Sequence, residues 1–143
     1  MRIAFVIYYC ANYQPLADVV LPRIQSYCNR HGYILIVQCD GYGDGAIGLQ
    51  KMHFLRDLLR KNAFEVALVT DLDIVITNHT RRIEDFFDNS GDYFVTKDIN
   101  GINTGSFIIR NTIWSWGFIE YVIAAGGTNE QDVMKQRGFS RCS

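Results

Sequence analysis

The sequence predicts an α/β fold with a mainly parallel central sheet flanked by helices. Two observations carry that prediction. Short apolar runs alternate with longer segments of helical periodicity, the pattern of repeated strand–helix–strand units. The third apolar run, residues 66–70, ends in a pair of carboxylates, Asp71-Leu72-Asp73, at the kind of strand end where open sheets gather their ligands.

Residues 2–9 are apolar nearly throughout, as befits a strand buried on both faces. A loop follows, and Pro15 fits the first turn of a helix whose apolar positions are Leu16, Val19, Val20, Ile24 and Tyr27. Pro22 is expected to kink or restart that helix, and Gly32 to stop it. Residues 33–39 read as a second strand ending at Asp40, and residues 41–48 as a glycine-rich loop. Residues 49–62 read as a helix with Met52, Leu55, Leu58 and Leu59 on one face and Lys51, Arg56, Arg60 and Lys61 largely opposite. After the third strand come a short helix over 83–87, a strand over 93–96, a strand over 107–109 and an aromatic helix over 114–123. The chain of 143 residues fits one domain spanning its whole length, and 48% hydrophobic residues suffice for a core.

The composition also excludes partners. A net charge of −1 and the lack of a basic stretch argue against nucleic acid and against an anionic membrane surface. No stretch approaches the roughly 20 apolar residues of a membrane span. The apolar N-terminus is short and no small-residue cleavage site follows it, so it reads as a first strand rather than a leader, and the chain as cytoplasmic. Cys10, Cys28, Cys39 and Cys142 show no C-x-x-C spacing, so no zinc site is expected and reduced thiols are the leading expectation.

Three constellations carry chemistry. In a strand, residues i and i+2 face one way, so Asp71 and Asp73 would point together while Leu72 packs behind them. Two adjacent carboxylates repel unless a positive charge lies between them. A divalent cation that carries a diphosphate is the usual remedy. Asn12, Tyr13 and Asp40 would share the same edge. The second constellation, residues 100–111, is small and polar in its first half and strand-like in its second. It reads equally as a ligand-facing loop or as a turn before an edge strand. The third, Asn129-Glu130-Gln131-Asp132, is a sufficient helix N-terminus, with Asn129 as cap.

Lys51, then the stretch 69–78 around the Asp pair, then Gly101-Ile102-Asn103-Thr104-Gly105-Ser106-Phe107-Ile108-Ile109-Arg110-Asn111 with Trp114-Ser115, then Glu130-Gln131-Asp132, occur in one order along the chain. Together they resemble the GT-A glycosyltransferases, and most closely family 34, the galactosyl- and xylosyltransferase group. The resemblance implies a Rossmann-like GT-A fold, a nucleotide-sugar donor, usually a UDP-sugar, a glycan or other hydroxyl acceptor, and Mn²⁺ (or Mg²⁺). By the same resemblance Asp73 would ligate the metal, Asp71 would touch the metal or the ribose, and Tyr9, Asn12 and Tyr13 would lie near the base. Lys51 would approach the donor, and Asn103, Thr104 and Gly105 would line the sugar and acceptor side. Gln131 and Asp132 would face the reacting anomeric carbon. Family 34 enzymes retain anomeric configuration, and the same is expected here.

One departure stands out. The family's domains are longer and carry a later histidine that completes the metal site, and His31, His53 and His79 do not occupy that position. The chain is therefore expected to lack the C-terminal portion of the domain. Two rival readings remain: a nucleotide-sugar-binding remnant without turnover, and a haloacid-dehalogenase-like phosphatase. In the latter Asp71 would be the nucleophile and Asp73 the acid/base.

Overall fold

The protein is described by a computed structural model. It describes the backbone of residues 1–74, 76, 78–98 and 101–136, and the side chains of residues 1–74, 76, 78–95 and 106–126. Strands β1 (Ile3–Tyr9), β2 (Ile34–Cys39), β3 (Val66–Thr70), β4 (Tyr93–Asp98) and β5 (Gly101–Arg110) form one sheet in the order β2-β1-β3-β5-β4. β1 pairs in parallel with β2 and β3, whereas β5 runs antiparallel to both β3 and β4. Helices α1 (Gln14–His31), α2 (Ile47–Arg60) and α3 (Ile113–Gln136) complete the fold.

All seven residues of β1 are buried, because both faces of the sheet are covered. Ile3, Phe5, Ile7 and Tyr9 pack with Ala17, Ile24, Tyr27 and Cys28 of α1. Ala4, Val6 and Tyr8 pack with Met52, Leu55 and Leu59 of α2 and with Ile119 and Val122 of α3. β3 obeys the same alternation: Val66 faces α1, while Ala67 and Val69 face α2.

Several sequence expectations need correction. Helix α1 runs through Pro22 as one element, ended by Gly32 at φ 76, where the chain turns left-handed. Its buried stripe is Ala17, Ile24, Tyr27 and Cys28, with Leu16 and Val19 exposed. Lys51 was placed on the polar face of α2. It is instead fully buried, since it stands four residues before Leu55 and one before Met52 on the core-facing stripe. The backbone of residues 101–106 continues β5 rather than forming a loop. Residues 129–132 lie inside α3, so Asn129 does not cap a new helix.

The cysteines also divide. Cys28 and Cys39 are free, but Cys10 is disulfide-bonded, so among the described cysteines the reduced-thiol reading holds for Cys28 and Cys39 and fails for Cys10; Cys142 lies outside the described residues. Spacing in sequence says nothing about which sulfurs meet in space, which is why the bridge was not foreseen.

Arg110 and Asn111, which end the distinctive β5 motif, are structural. The Asn111 amide donates to Leu59 O at 3.2 Å and Phe64 O at 3.4 Å, and its Oδ1 accepts from Trp116 Nε1 at 2.8 Å. One side chain thus joins the end of α2, the approach to β3 and the start of α3. Arg110 lies 5.2 Å from the centre of the Phe87 ring and donates to the carbonyls of Asp88 and Gly91.

Two predictions follow from this packing. Asn111→Ala removes the bonds that join α2, the approach to β3 and α3, and lowers stability by about 1–3 kcal/mol in denaturant unfolding. Burial pushes the Cys28 thiol up to about 12, so in native protein it resists a disulfide-exchange reagent and reacts only on unfolding, while half-buried Cys39 reacts first.

Candidate functional site

Parallel strands β1, β2 and β3 end at Tyr9, Cys39 and Thr70 on one edge of the sheet. Helix α2 is the crossover from β2 to β3, so its first turn lies at that same edge. The register Val69↔Phe107 carries the first half of β5 past the end of β3 on this side. The edge therefore gathers residues 10–13, Asp40, the start of α2, residues 71–73 and the backbone of the asparagine-threonine-glycine segment.

Asp40 ties the first two strand ends together. It sits at φ 52, and its N–H donates to Tyr9 O at 3.0 Å. Its Oδ2 accepts from Ala11 N–H at 3.1 Å, capping the 3-10 turn Ala11–Tyr13 that leads into α1. Asn12 on that turn is exposed and Tyr13 is half-buried. The Tyr9 ring packs in the core facing α1, and its hydroxyl donates to Gln14 Oε1 at 2.7 Å. Tyr9 thus walls the edge rather than reaching out from it.

A second anchor was not foreseen. Gln50, buried on the first turn of α2, accepts from the Tyr8 hydroxyl at 2.6 Å and donates to Gly45 O at 2.7 Å. The glycine-rich loop, with Gly41 at φ 96 and Gly43 at φ 100, is held against the sheet by this link. Tyr42 adds another, donating to Asp57 Oδ2 at 2.8 Å. Tyr8 reads in sequence as one more apolar strand residue, and Gln50 as one more polar helix residue, so neither gave a signal.

The Asp pair differs from its expected form. β3 ends at Thr70, so Asp71-Leu72-Asp73 lies in the following turn rather than in the strand. The alternation nevertheless persists: Leu72 is buried with the α1-facing cluster, while Asp71 turns toward α2. There Lys51 Nζ donates to Asp71 Oδ1, with the lysine side chain 0% and the aspartate 16% exposed. Asp73 is exposed. The positive charge beside the carboxylate pair is therefore, first of all, an ammonium belonging to the chain. Burying an ammonium is costly unless an opposite charge meets it, and Asp71 does so. Thr70 Oγ1 and Ser106 Oγ, on adjoining strands, are buried and have no hydrogen-bond partner among the described residues.

Asp71 and Asp73 are hard oxygen donors of the kind that suits Mn²⁺ or Mg²⁺. Among the described residues no group of three or more His, Cys, Asp or Glu could complete a site around them, so further ligands would come from a bound molecule or water. Asn103, Thr104, Gly105, Gln131 and Asp132 have side chains outside the described ones. Of the histidines, His79 is exposed, and His53 is half-buried, with its Nδ1 3.0 Å from Arg56 Nη2.

The ion pair yields a prediction. Asp71→Asn removes the carboxylate from a buried ammonium and costs about 3–5 kcal/mol of stability, whereas adding Lys51→Met recovers most of that loss. Urea unfolding of the two variants checks it.

The comparisons with known proteins agree with this geometry. No curated protein matches the chain in sequence. Among solved structures, a glycosyltransferase involved in the glycosylation of the major capsid of PBCV-1 superposes with a TM-score of 0.67 at 16% identity, covering 88% of this chain and 68% of its own. The catalytic domain of Drosophila β1,4-galactosyltransferase 7, in complex with xylobiose, superposes with a TM-score of 0.56 at 8% identity, covering 78% of this chain and 50% of its own. The chain thus spans half the length of the Drosophila relative. At these identities the likeness establishes the fold, which is the GT-A glycosyltransferase fold expected from the sequence. The family-wide sequence pattern of the galactosyl transferase GMA12/MNN10 family matches residues 44–138, taking in Lys51, the Asp pair and the glutamine-aspartate segment. That match decides between the two enzyme classes the Asp motif leaves open: the chain belongs to the galactosyl transferase GMA12/MNN10 family, a family of glycosyltransferases.

Proposed function

We propose that this domain takes a nucleotide diphosphate sugar, a UDP-sugar, at the carboxyl edge of its parallel strands. It transfers the hexose or pentose to a hydroxyl of a glycan acceptor, with retention of anomeric configuration and with Mn²⁺ or Mg²⁺ as cofactor. The observation that carries the reading is the turn after β3, where Asp71 is held by buried Lys51 and Asp73 stands exposed beside it. A retaining outcome rests on the resemblance to family 34. A glycan acceptor accords with the xylobiose bound by the Drosophila relative.

In this reading Asp73, with Asp71, would hold the metal, which would supply positive charge for the departing diphosphate. The remaining work belongs to the chain. Residues 9–13, pinned by Asp40 and by the Tyr9–Gln14 bond, form the wall beside the base. The glycine-rich loop, held by Gln50, brings backbone close to the ligand without side chains in the way. Lys51 holds Asp71, and through it the turn, in place. Asn103, Thr104 and Gly105 would line the sugar, and Gln131 and Asp132 the reacting carbon.

The test is release of nucleoside diphosphate from a panel of nucleotide sugars with Mn²⁺, run beside a generic phosphatase substrate. Release that requires a hydroxyl acceptor and falls at least about a hundredfold in Asp73→Ala is the expected result. Phosphatase turnover that disappears in Asp71→Asn would sink the proposal. Binding of nucleotide without turnover would reduce the domain to a binding remnant.

A further inference from the structure

In the transfer chemistry just described, Lys51 acts by holding Asp71 in place. Its side chain is 0% exposed and its ammonium rests on Asp71, so it presents nothing to a ligand in this conformation. Surface lysines swing freely and interact weakly with their neighbours. This one is fully buried on the core-facing stripe of α2, so it cannot leave without opening the cover over it. The Asp71–Asp73 turn therefore has a lysine head group built into it.

We propose that Lys51 is a resident cation that keeps the carboxylate pair from holding a divalent ion alone, so that metal is taken up only together with a nucleotide diphosphate. Asp71 is already neutralised, which leaves exposed Asp73 as the carboxylate with charge to spare. A divalent ion entering by itself would set two further positive charges close to an ammonium that cannot retreat, in a half-buried setting where such repulsion is weakly screened. No third carboxylate, histidine or cysteine among the described residues completes a cluster that would offset it. A diphosphate removes both obstacles, because it supplies oxygen ligands and the negative charge that Lys51 has taken from Asp71. Two carboxylates with a built-in counter-charge thus make a site for a metal–nucleotide pair rather than for a metal.

This inference rests on the nucleotide-sugar reading, and its test separates the two. Free Mn²⁺ is followed by its electron paramagnetic resonance signal during titration of the protein, with and without UDP. Wild type binds Mn²⁺ weakly alone and much more tightly with UDP. Lys51→Met binds Mn²⁺ alone at least about tenfold more tightly than wild type, and the gain on adding UDP shrinks correspondingly. A purely structural lysine predicts the opposite, since a loosened turn can only lose affinity. No gain in Lys51→Met, with the fold intact by circular dichroism, overturns the proposal. Should that variant fail to fold, Lys51→Met with Asp71→Asn is compared with Asp71→Asn alone. Tighter Mn²⁺ binding in the double variant supports the resident cation, and equal or weaker binding overturns it. If wild type takes up no Mn²⁺ even with UDP, the nucleotide-sugar reading itself falls. If wild type takes up both and Lys51→Met gains nothing, only the role given to Lys51 falls.

Discussion

The buried ion pair between Lys51 and Asp71 is the constraint on which the edge of this sheet depends. It crosses between layers: Lys51 comes from the first turns of α2, Asp71 from the turn that leaves β3. Apolar burial draws α2 against the sheet but is itself non-directional. A charged contact at one point holds position, because an ammonium displaced from its carboxylate inside a protein is left in a medium that cannot solvate it. The pair therefore fixes the register of α2 against β3. The Tyr8–Gln50–Gly45 link, one residue earlier on the helix, fixes the same turn against β1 and the glycine-rich loop.

The rest of the domain extends that arrangement. Asp40 joins the ends of β1 and β2 and starts the turn into α1, so that edge is tied through its own backbone. At the far side of the fold, Asn111 gathers α2, the approach to β3 and α3. Polar side chains thus do the locating at both ends of the strands, while the two apolar layers between them supply most of the burial. This division explains why two residues of the most distinctive sequence motif, Arg110 and Asn111, serve the fold rather than the ligand.

The division also bears on metal chemistry. An Asp-x-Asp turn with no cation of its own would be a metal site waiting for its ion. Here the chain has placed a positive charge beside the pair, and the demand for an outside cation is correspondingly smaller. In the proposed reading the second charge arrives with its own counter-ion, a nucleotide diphosphate, the ligand a glycosyltransferase family would bring.

Much of this was legible in the sequence because it follows from periodicity. Alternating apolar runs and helical stripes located the strands and helices, with Val66–Thr70 placed to the residue. Position at the end of a buried strand marked Asp71 and Asp73. What periodicity could not supply was direction and partnership. The reversal of β5 is invisible locally, because a parallel and an antiparallel strand have the same alternation, and only pairing distinguishes them. The disulfide at Cys10 depends on proximity in space. Lys51 was misplaced for the same kind of reason. A lysine reads as solvent-facing by type, although its position on the helix lay on the apolar stripe, and burial becomes tolerable only once a carboxylate from 20 residues away stands opposite. Sequence alone determined the elements and the family of chemistry; the tertiary structure decided which charges meet, because the energy of a buried charge depends on neighbours that only the folded chain provides.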